Sequence, residues 1–252
     1  MILFKKAIKL TNWLNVNQNK GHKIGFVPSM GALHAGHISL IELSKKNNSI
    51  TVCSIFINPT QFNDKKDFEK YPHTLEKDIY LLEKAGCDIL FFPSVKEIYP
   101  TGIPSEKHYD LDYLETVLEG KFRPGHFQGV CMVMDRLLHI VKPDRLYLGQ
   151  KDYQQCLVIT KLISLIGMND LVEVLISPTL READGLAFSS RNMRLNNESR
   201  KNAITIYESL SMIKQKLNNE TIEELKKLAQ LMLEKNDFKV DYVEIADVID
   251  LS

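Results

Sequence analysis

Residues 50–57 read ITVCSIFI, eight consecutive residues that are almost all apolar or β-branched. A strand with one wet face alternates polar and apolar side chains, and this run does not. It suits a strand covered on both faces, as in a parallel sheet. Parallel neighbours need crossover connections, usually helices. Shorter runs of the same kind recur at His22 to Val27, Asp88 to Phe92 (DILFF), Arg145 to Leu148 and Leu171 to Ile176. Between them lie stretches with apolar residues at helical spacing. The alternation predicts an α/β protein, a parallel sheet with helices on both faces. Right-handed crossovers bring the loops after the strands to one sheet edge, where open α/β sheets bind ligands. The loops at 28–37, 58–62 and 149–152 are therefore expected to converge.

The helices follow from spacing and caps. Phe4, Ile8, Thr11 and Leu14 predict one over residues 3–16. Pro28, lacking an N–H for the ladder, is expected to end the first strand. A helix then runs from about Gly36 to Lys45-Lys46-Asn47-Asn48. Thr74 is placed to cap another, closed by Gly86. Asp112 and Glu115 predict a capping box for LDYLETVLEG, and Thr221 with Glu224 one for a helix to about Lys235. Further helices are expected over Val130 to Val141, Tyr153 to Ile166 and Asn196 to about Leu217, and a strand over Lys239 to Ala246. The βα rhythm stops near Ser177. That divides the chain into residues 1–177 and a smaller α+β domain, 178–252, which reads as shortened.

Lys+Arg and Asp+Glu number 32 each, so no bulk charge points to nucleic acid or an anionic membrane surface. The four cysteines, Cys53, Cys87, Cys131 and Cys156, stand apart in apolar runs and match no metal or redox spacing. The N-terminus lacks a signal-peptide pattern, and no apolar run approaches the roughly 20 residues of a membrane span. A cytoplasmic protein is expected.

Gly25 to Ile41, GFVPSMGALHAGHISLI, reads as a strand end, a glycine-bearing turn and a helix start. The first N–H groups of a helix have no internal partner and carry partial positive charge, so this arrangement suits phosphate. His34 and His37 stand at that point and can both donate to phosphate oxygens. Alone, the pair leaves an ordinary surface pair and a metal pair open. The i,i+3 spacing, Gly36 between the rings and the lack of a nearby third ligand favour phosphate over zinc.

Three more loops carry chemistry. Asn58-Pro59-Thr60-Gln61-Phe62 sets two amides beside a rigid proline, suited to a small hydroxy acid or to a plain turn. Gly149-Gln150-Lys151-Asp152 offers a lysine for phosphate charge, and Gln154 and Gln155 follow it. Ser189-Ser190-Arg191 offers two hydroxyls and a guanidinium, apt for a leaving pyrophosphate.

In order and spacing, PSMGALHAGH, SIFINPTQF, YPHTLEKD, PSVKEIYP, LEGKFRPGHFQGV, VKPDRLYLGQKDYQQ and READGLAFSSRN resemble the pantoate–β-alanine ligases. The likeness is dense over about residues 22–195 and weak beyond. It implies a Rossmann-like nucleotidyltransferase domain and two steps. ATP with Mg²⁺ and pantoate give pantoyl adenylate and pyrophosphate; β-alanine then displaces AMP to give pantothenate. It also implies a homodimer.

By position, the resemblance implies that Met30, Gly31, Ala32, Leu33, His34, Ala35, Gly36 and His37 contact ATP, with His37 the proton donor. Gly149, Gln150, Lys151 and Asp152 match a nucleotide loop, and Leu180, Phe188, Ser189, Ser190 and Arg191 the phosphate-gripping side. Gln61 and Gln155 match the pantoate and β-alanine site; Asn58 and Met30 are expected beside them, and His34, His37 and Lys151 are the expected catalytic set. No protein side chain is assigned to the metal. The chain departs from the pattern at Ser29 (usually Thr), Gln150 (usually Glu) and Arg194 (usually Tyr), and stops at Leu251-Ser252.

Overall fold

The chain opens with a strand that the apolar spacing of residues 3–16 did not suggest. β1, Ile2–Phe4, pairs in parallel with β4, Ile89–Phe91, and only then does α1, Ala7–Gln18, begin. Tertiary pairing wins over local periodicity here: Ile2 N–H donates to Asp88 C=O at 2.8 Å, and Phe92 N–H to Phe4 C=O at 2.8 Å. The computed structural model describes residues 1–103 and 107–252, so residues 104–106 of the expected excursion lie outside the described residues.

Then follow β2, Ile24–Ser29; α2, Ala35–Asn47; β3, Ile50–Ile55; α3, Lys65–Glu69; and α4, Leu75–Lys84, which leads into β4. Beyond β4 come α5, Val95–Ile98; α6, Leu118–Phe122; α7, His126–Val141; β5, Arg145–Gly149; α8, Tyr153–Leu165; and β6, Glu173–Ser177. The six strands form one sheet in the order β1-β4-β3-β2-β5-β6, every pair parallel. Helices cover both faces. Leu10 and Leu14 of α1 share a core with the inner residues of α7 and α8. Leu40 and Ile41 of α2 and Leu82 of α4 pack on the opposite face around Val27, Cys53 and Leu90. β3 is buried throughout, as a strand with no wet face must be.

Pro28 does not end its strand. β2 runs through it to Ser29, with Pro28 in register opposite Ser54 of β3. Ser29 C=O accepts from Phe56 N–H on the β3 side, so the backbone of Pro28 faces the β5 side. Pairing there has already stopped at Phe26 opposite Leu146, and the missing N–H breaks no ladder bond.

Other differences have local causes. LDYLETVLEG does not form one capped helix. It makes a 3-10 turn, Asp112–Glu115, then α6, with Asp112 at φ 51° and Leu118 at φ 46°. The segment folds onto itself so closely that a Cβ on Gly120 would sit 2.3 Å from Glu115 O. α7 starts four residues before Val130 because Gly125, at φ 79°, sets its N-terminus. After Ser177 come a 3-10 turn, Ser190–Arg194, then α9, Asn197–Asn202; α10, Thr205–Lys216; and α11, Ile222–Glu234. The expected single helix from Asn196 is thus broken at Ala203-Ile204. The Thr221–Glu224 capping box forms. The strand expected over Lys239 to Ala246 does not form; an extended segment with no neighbour to pair with is not a stable strand.

Candidate active site

The strand order reverses between β2 and β5, since the chain proceeds from β2 to β3 and β4 on one side and to β5 and β6 on the other. This is the switch point at which open α/β sheets bind ligands. Beyond Phe26 and Leu146 the two strands no longer pair, and a cleft of about 840 Å³ opens at their carboxyl ends. The three expected loops meet there, joined by the N-terminus of α7 and the segment around Ser189.

The turn after β2 is held from behind. The buried Asp78 carboxylate accepts Ala32 N–H at 2.9 Å, Leu33 N–H at 2.8 Å and the Thr74 hydroxyl at 3.1 Å. Gly31 has φ 86°, and a Cβ there would lie 3.0 Å from Ile55 Cγ2 and 3.2 Å from Asp78 Oδ2. Of the stretch expected to contact ATP, Met30, His34, Gly36 and His37 therefore line the cleft. Gly31, Ala32, Leu33 and Ala35 do not, because the turn's N–H groups are directed to Asp78 and Ala35 faces outward.

His34 is the residue before the first turn of α2, and His37 is in that turn. His34 N–H donates to His37 Nδ1 at 3.4 Å, and the ring centroids are 4.0 Å apart. With Nδ1 accepting, the proton of neutral His37 sits on Nε2, which has no hydrogen-bond partner among the described residues. Burial, then His34 and Lys151, lower the His37 pKa to about 3. Burial and then Lys151 lower that of His34 to about 4, partly offset by Asp152. Both rings are thus neutral before ligand binds. His34 stacks on Phe188 at 6.0 Å, and its buried Nδ1 has no hydrogen-bond partner among the described residues. A bound anion would favour the protonation that burial and Lys151 oppose.

Lys151 lies in the 3-10 turn Gln150–Asp152 after β5, its Nζ 3.1 Å from Asp152 Oδ1. Gly149, Lys151 and Asp152 line the cleft, whereas the exposed Gln150 does not.

Gln61 ends the 3-10 turn Pro59–Gln61 after β3. Its Nε2 donates to Met30 Sδ at 2.8 Å, and its backbone C=O accepts from His126 Nδ1 at 2.8 Å. Asn58, expected beside it as a ligand, is wholly buried and does not line the cleft. Its Nδ2 donates to Gly129 C=O at 2.9 Å and Gln61 Oε1 at 3.3 Å, while its Oδ1 accepts from the Tyr99 hydroxyl at 3.0 Å. Asn58 thereby holds the Gln61 side chain in place. Gln155 lines the cleft, half-buried. Gln154 is committed to Glu119 N–H and to the C=O groups of Leu114 and Val117.

On the far side, Leu180, Phe188, Ser189, Ser190 and Arg191 all line the cleft. The Ser190 hydroxyl donates to Ala32 C=O at 3.1 Å, tying this segment to the turn after β2. Arg191 Nη2 donates to Asp67 Oδ2 at 2.8 Å, and Arg194 Nη1 to Asp67 Oδ1 at 2.6 Å. These guanidiniums hold the Asp67 carboxyl below its ordinary pKa. Sequence reasoning assigned no role to Asp67, Asp78 or His126. Asp78 reads in sequence as an ordinary first-turn acid; Asp67 sits on the short α3 and His126 at the start of α7, and only tertiary structure reveals that both reach the cleft.

A family model described as pantoate-beta-alanine ligase matches residues 2–252. The chain belongs to the pantoate–β-alanine ligase family. It is 44% identical to the pantothenate synthetase of Cytophaga hutchinsonii over 97% of this chain and 86% of that one. It is 43% identical to that of Aquifex aeolicus, over 98% and 87%. The fold matches the crystal structure of pantothenate synthetase from Thermus thermophilus with a TM-score of 0.92, at 38% identity, covering 100% of this chain and 89% of that one. It matches the Francisella tularensis pantoate-beta-alanine ligase, complexed with beta-gamma ATP and beta-alanine, with a TM-score of 0.79 at 40% identity, over 92% and 86%. The expected ligase family and α/β fold are thus met. Among the described residues no helix is long and apolar enough to cross a membrane.

Proposed function

We propose that the cleft between β2 and β5 condenses pantoate with β-alanine at the expense of ATP, giving pantothenate, AMP and pyrophosphate through pantoyl adenylate. One juxtaposition carries this reading. The rings of His34 and His37 with Lys151 and Arg191, all suited to phosphate, share one cleft with the amides of Gln61 and Gln155, suited to a hydroxy acid.

In the first step a pantoate carboxylate oxygen bonds to the α-phosphorus of ATP, and the bond to pyrophosphate breaks. The carboxylate is ionised at neutral pH and needs no base. What the protein must supply is position and charge stabilisation. Neutral His37 donates from Nε2, Lys151 and Arg191 meet the phosphate charge, and Gln61 and Gln155 hold the acid. In the second step the amine of β-alanine attacks the acyl carbon and AMP leaves. A cleft that excludes water protects the adenylate between the steps.

Mg²⁺ fits this donor set as a passenger of ATP. Among the described residues no cluster of three ligating side chains exists, and Asp67 and Asp152 are each paired with a cation. Mg²⁺ typically keeps waters and is held mainly by substrate phosphates, whose charge it neutralises. The division at 177/178, with 178–252 closing over ATP, belongs to the same proposal. So do a homodimer and a cytoplasmic location, which rest on the family likeness.

Exchange of labelled pyrophosphate into ATP tests the reading. Exchange that requires pantoate but not β-alanine supports it; exchange without pantoate, or only with β-alanine, overturns it.

A further inference from the structure

The second step carries a requirement that the first does not. β-Alanine arrives as an ammonium, which has no lone pair to attack with, so a proton must leave before the new bond forms. His37 cannot take it, because its Nδ1 already accepts from His34 N–H. His34 sits among Phe188, Lys151 and the expected phosphates.

His126 differs on each point. It opens α7 behind Gly125 and lines the cleft beside Gln61, with only 6% of its surface exposed. Its Nδ1 lies 2.8 Å from the backbone carbonyl oxygen of Gln61. A carbonyl only accepts, so Nδ1 carries the proton and Nε2 carries a lone pair. Among the described residues Nε2 has no hydrogen-bond partner, yet it is not among the sealed, unsatisfied atoms. That nitrogen opens into the cleft. The charged groups around the ring are Arg123 after α6, Glu119 on α6 and Asp152 after β5. Burial and Arg123 keep the ring's pKa below the ordinary histidine value, while Gln61 C=O, Glu119 and Asp152 act the other way.

We propose that His126 is the general base of the amine half-reaction, with the Gln61 carbonyl fixing its tautomer so that Nε2 faces the incoming ammonium. This rests on the ligase reading of the same cleft. Nε2 takes one proton from the ammonium. The freed lone pair forms the N–C bond to the acyl carbon, the C–O bond to the phosphate breaks, and AMP leaves with that electron pair. The second proton on nitrogen departs on the AMP phosphate, and His126 returns its own to solvent.

The test uses the full chain, preformed pantoyl adenylate and two nucleophiles. β-Alanine is ammonium at neutral pH. Aminooxyacetate has the same carboxylate and nearly the same length, but its amine is already unprotonated. His126→Asn keeps an N–H for the Gln61 carbonyl and removes the base. With β-alanine at neutral pH the variant should lose about a hundredfold or more in rate, and with aminooxyacetate less than about threefold. The β-alanine defect should shrink as pH approaches the amine's own pKa. Equal loss with both nucleophiles, or no loss with either, overturns the base. The unmodified chain gives a second measurement should the variant fail to fold. Its rate with β-alanine should rise with pH and level off by the ordinary histidine pKa, along a limb that is missing with aminooxyacetate; a rise that continues unbroken to the amine's own pKa, or a limb common to both, overturns the proposal. If the unmodified chain joins neither nucleophile to the adenylate, the ligase reading itself fails.

Discussion

The Asp67 carboxylate holds Arg191 at 2.8 Å through one oxygen and Arg194 at 2.6 Å through the other. One anion on α3 thus occupies two cations of the 3-10 turn Ser190–Arg194. A triphosphate reaching Arg191 must compete with Asp67. Arg194 gives Asp67 a second partner to keep if Arg191 turns to phosphate, as proposed above. Asp67→Asn is expected to lower the KM for ATP several-fold, matching about 0.5–1 kcal/mol for a partly exposed pair. Arg194→Tyr is expected to raise it, because Asp67 then holds Arg191 alone. Steady-state kinetics at varied ATP reads both; no change in either variant removes Asp67 from the path of ATP.

On the proposed reading, His37 offers Nε2–H to phosphate, and its Nδ1 already accepts from His34 N–H. His37→Ala is therefore expected to slow adenylate formation by about 10²–10³-fold, or about 3–4 kcal/mol of lost charge stabilisation. Attack of β-alanine on preformed pantoyl adenylate should suffer far less. Rapid-quench measurement of each half-reaction separates them, and equal losses would contradict the phosphate-donor role.

The same two rings make stability depend on pH. Their folded-state pKa values, about 4 for His34 and about 3 for His37, lie below the ordinary 6.5. The unfolded chain therefore binds more protons between these limits, and stability must rise with pH across them. It is complete above about pH 6.5 and is lost as pH falls toward 4 and then 3. After discounting for solvent access, the pair accounts for on the order of 2 kcal/mol. Denaturant melts of the His34→Gln, His37→Gln double variant should show a flatter limb between pH 6.5 and 4. An unchanged limb would contradict the assignment. Because a polyphosphate favours protonated His34, whose Nδ1 has no partner among the described residues, ATP should also bind with proton uptake in mildly acid buffer, measurable by calorimetry in buffers of different ionisation enthalpy.

Asp78 organises the turn without touching the cleft. Asp78→Asn puts an NH₂ group where a carboxylate oxygen accepts Ala32 or Leu33 N–H, leaving buried donors facing each other. A loss of about 2–3 kcal/mol is expected, or roughly 5–10 °C in Tm for a chain of this size. Thermal unfolding checks it; a Tm within about 1 °C of the unmodified chain would mean that the turn holds itself.

The parallel sheet was legible because β3 has no wet face and because helical and strand periods alternate around it. His34, His37, Gln61 and Lys151 were legible because each follows a strand and so belongs to the loop edge. What escaped sequence reasoning depended on long-range partners. β1 exists only because β4 offers it an edge, and Pro28 stays in β2 only because β5 has already parted from it. Asn58 and Gln61 look alike as loop amides, yet Asn58 is buried against Gly129, Gln61 and Tyr99, partners that the sequence does not show. Arg194 read as a departure, and its partner Asp67 lies 127 residues away.

Direct attack of the pantoate carboxylate on the α-phosphorus is tested by following its oxygen. With pantoate labelled by heavy oxygen in the carboxylate, ATP and β-alanine are turned over by the full chain, and AMP and pyrophosphate are analysed by mass spectrometry. Formation of pantoyl adenylate in the cleft requires one labelled oxygen to appear in each AMP and none in pyrophosphate. Label in pyrophosphate, or AMP free of label while pantothenate accumulates, would contradict it.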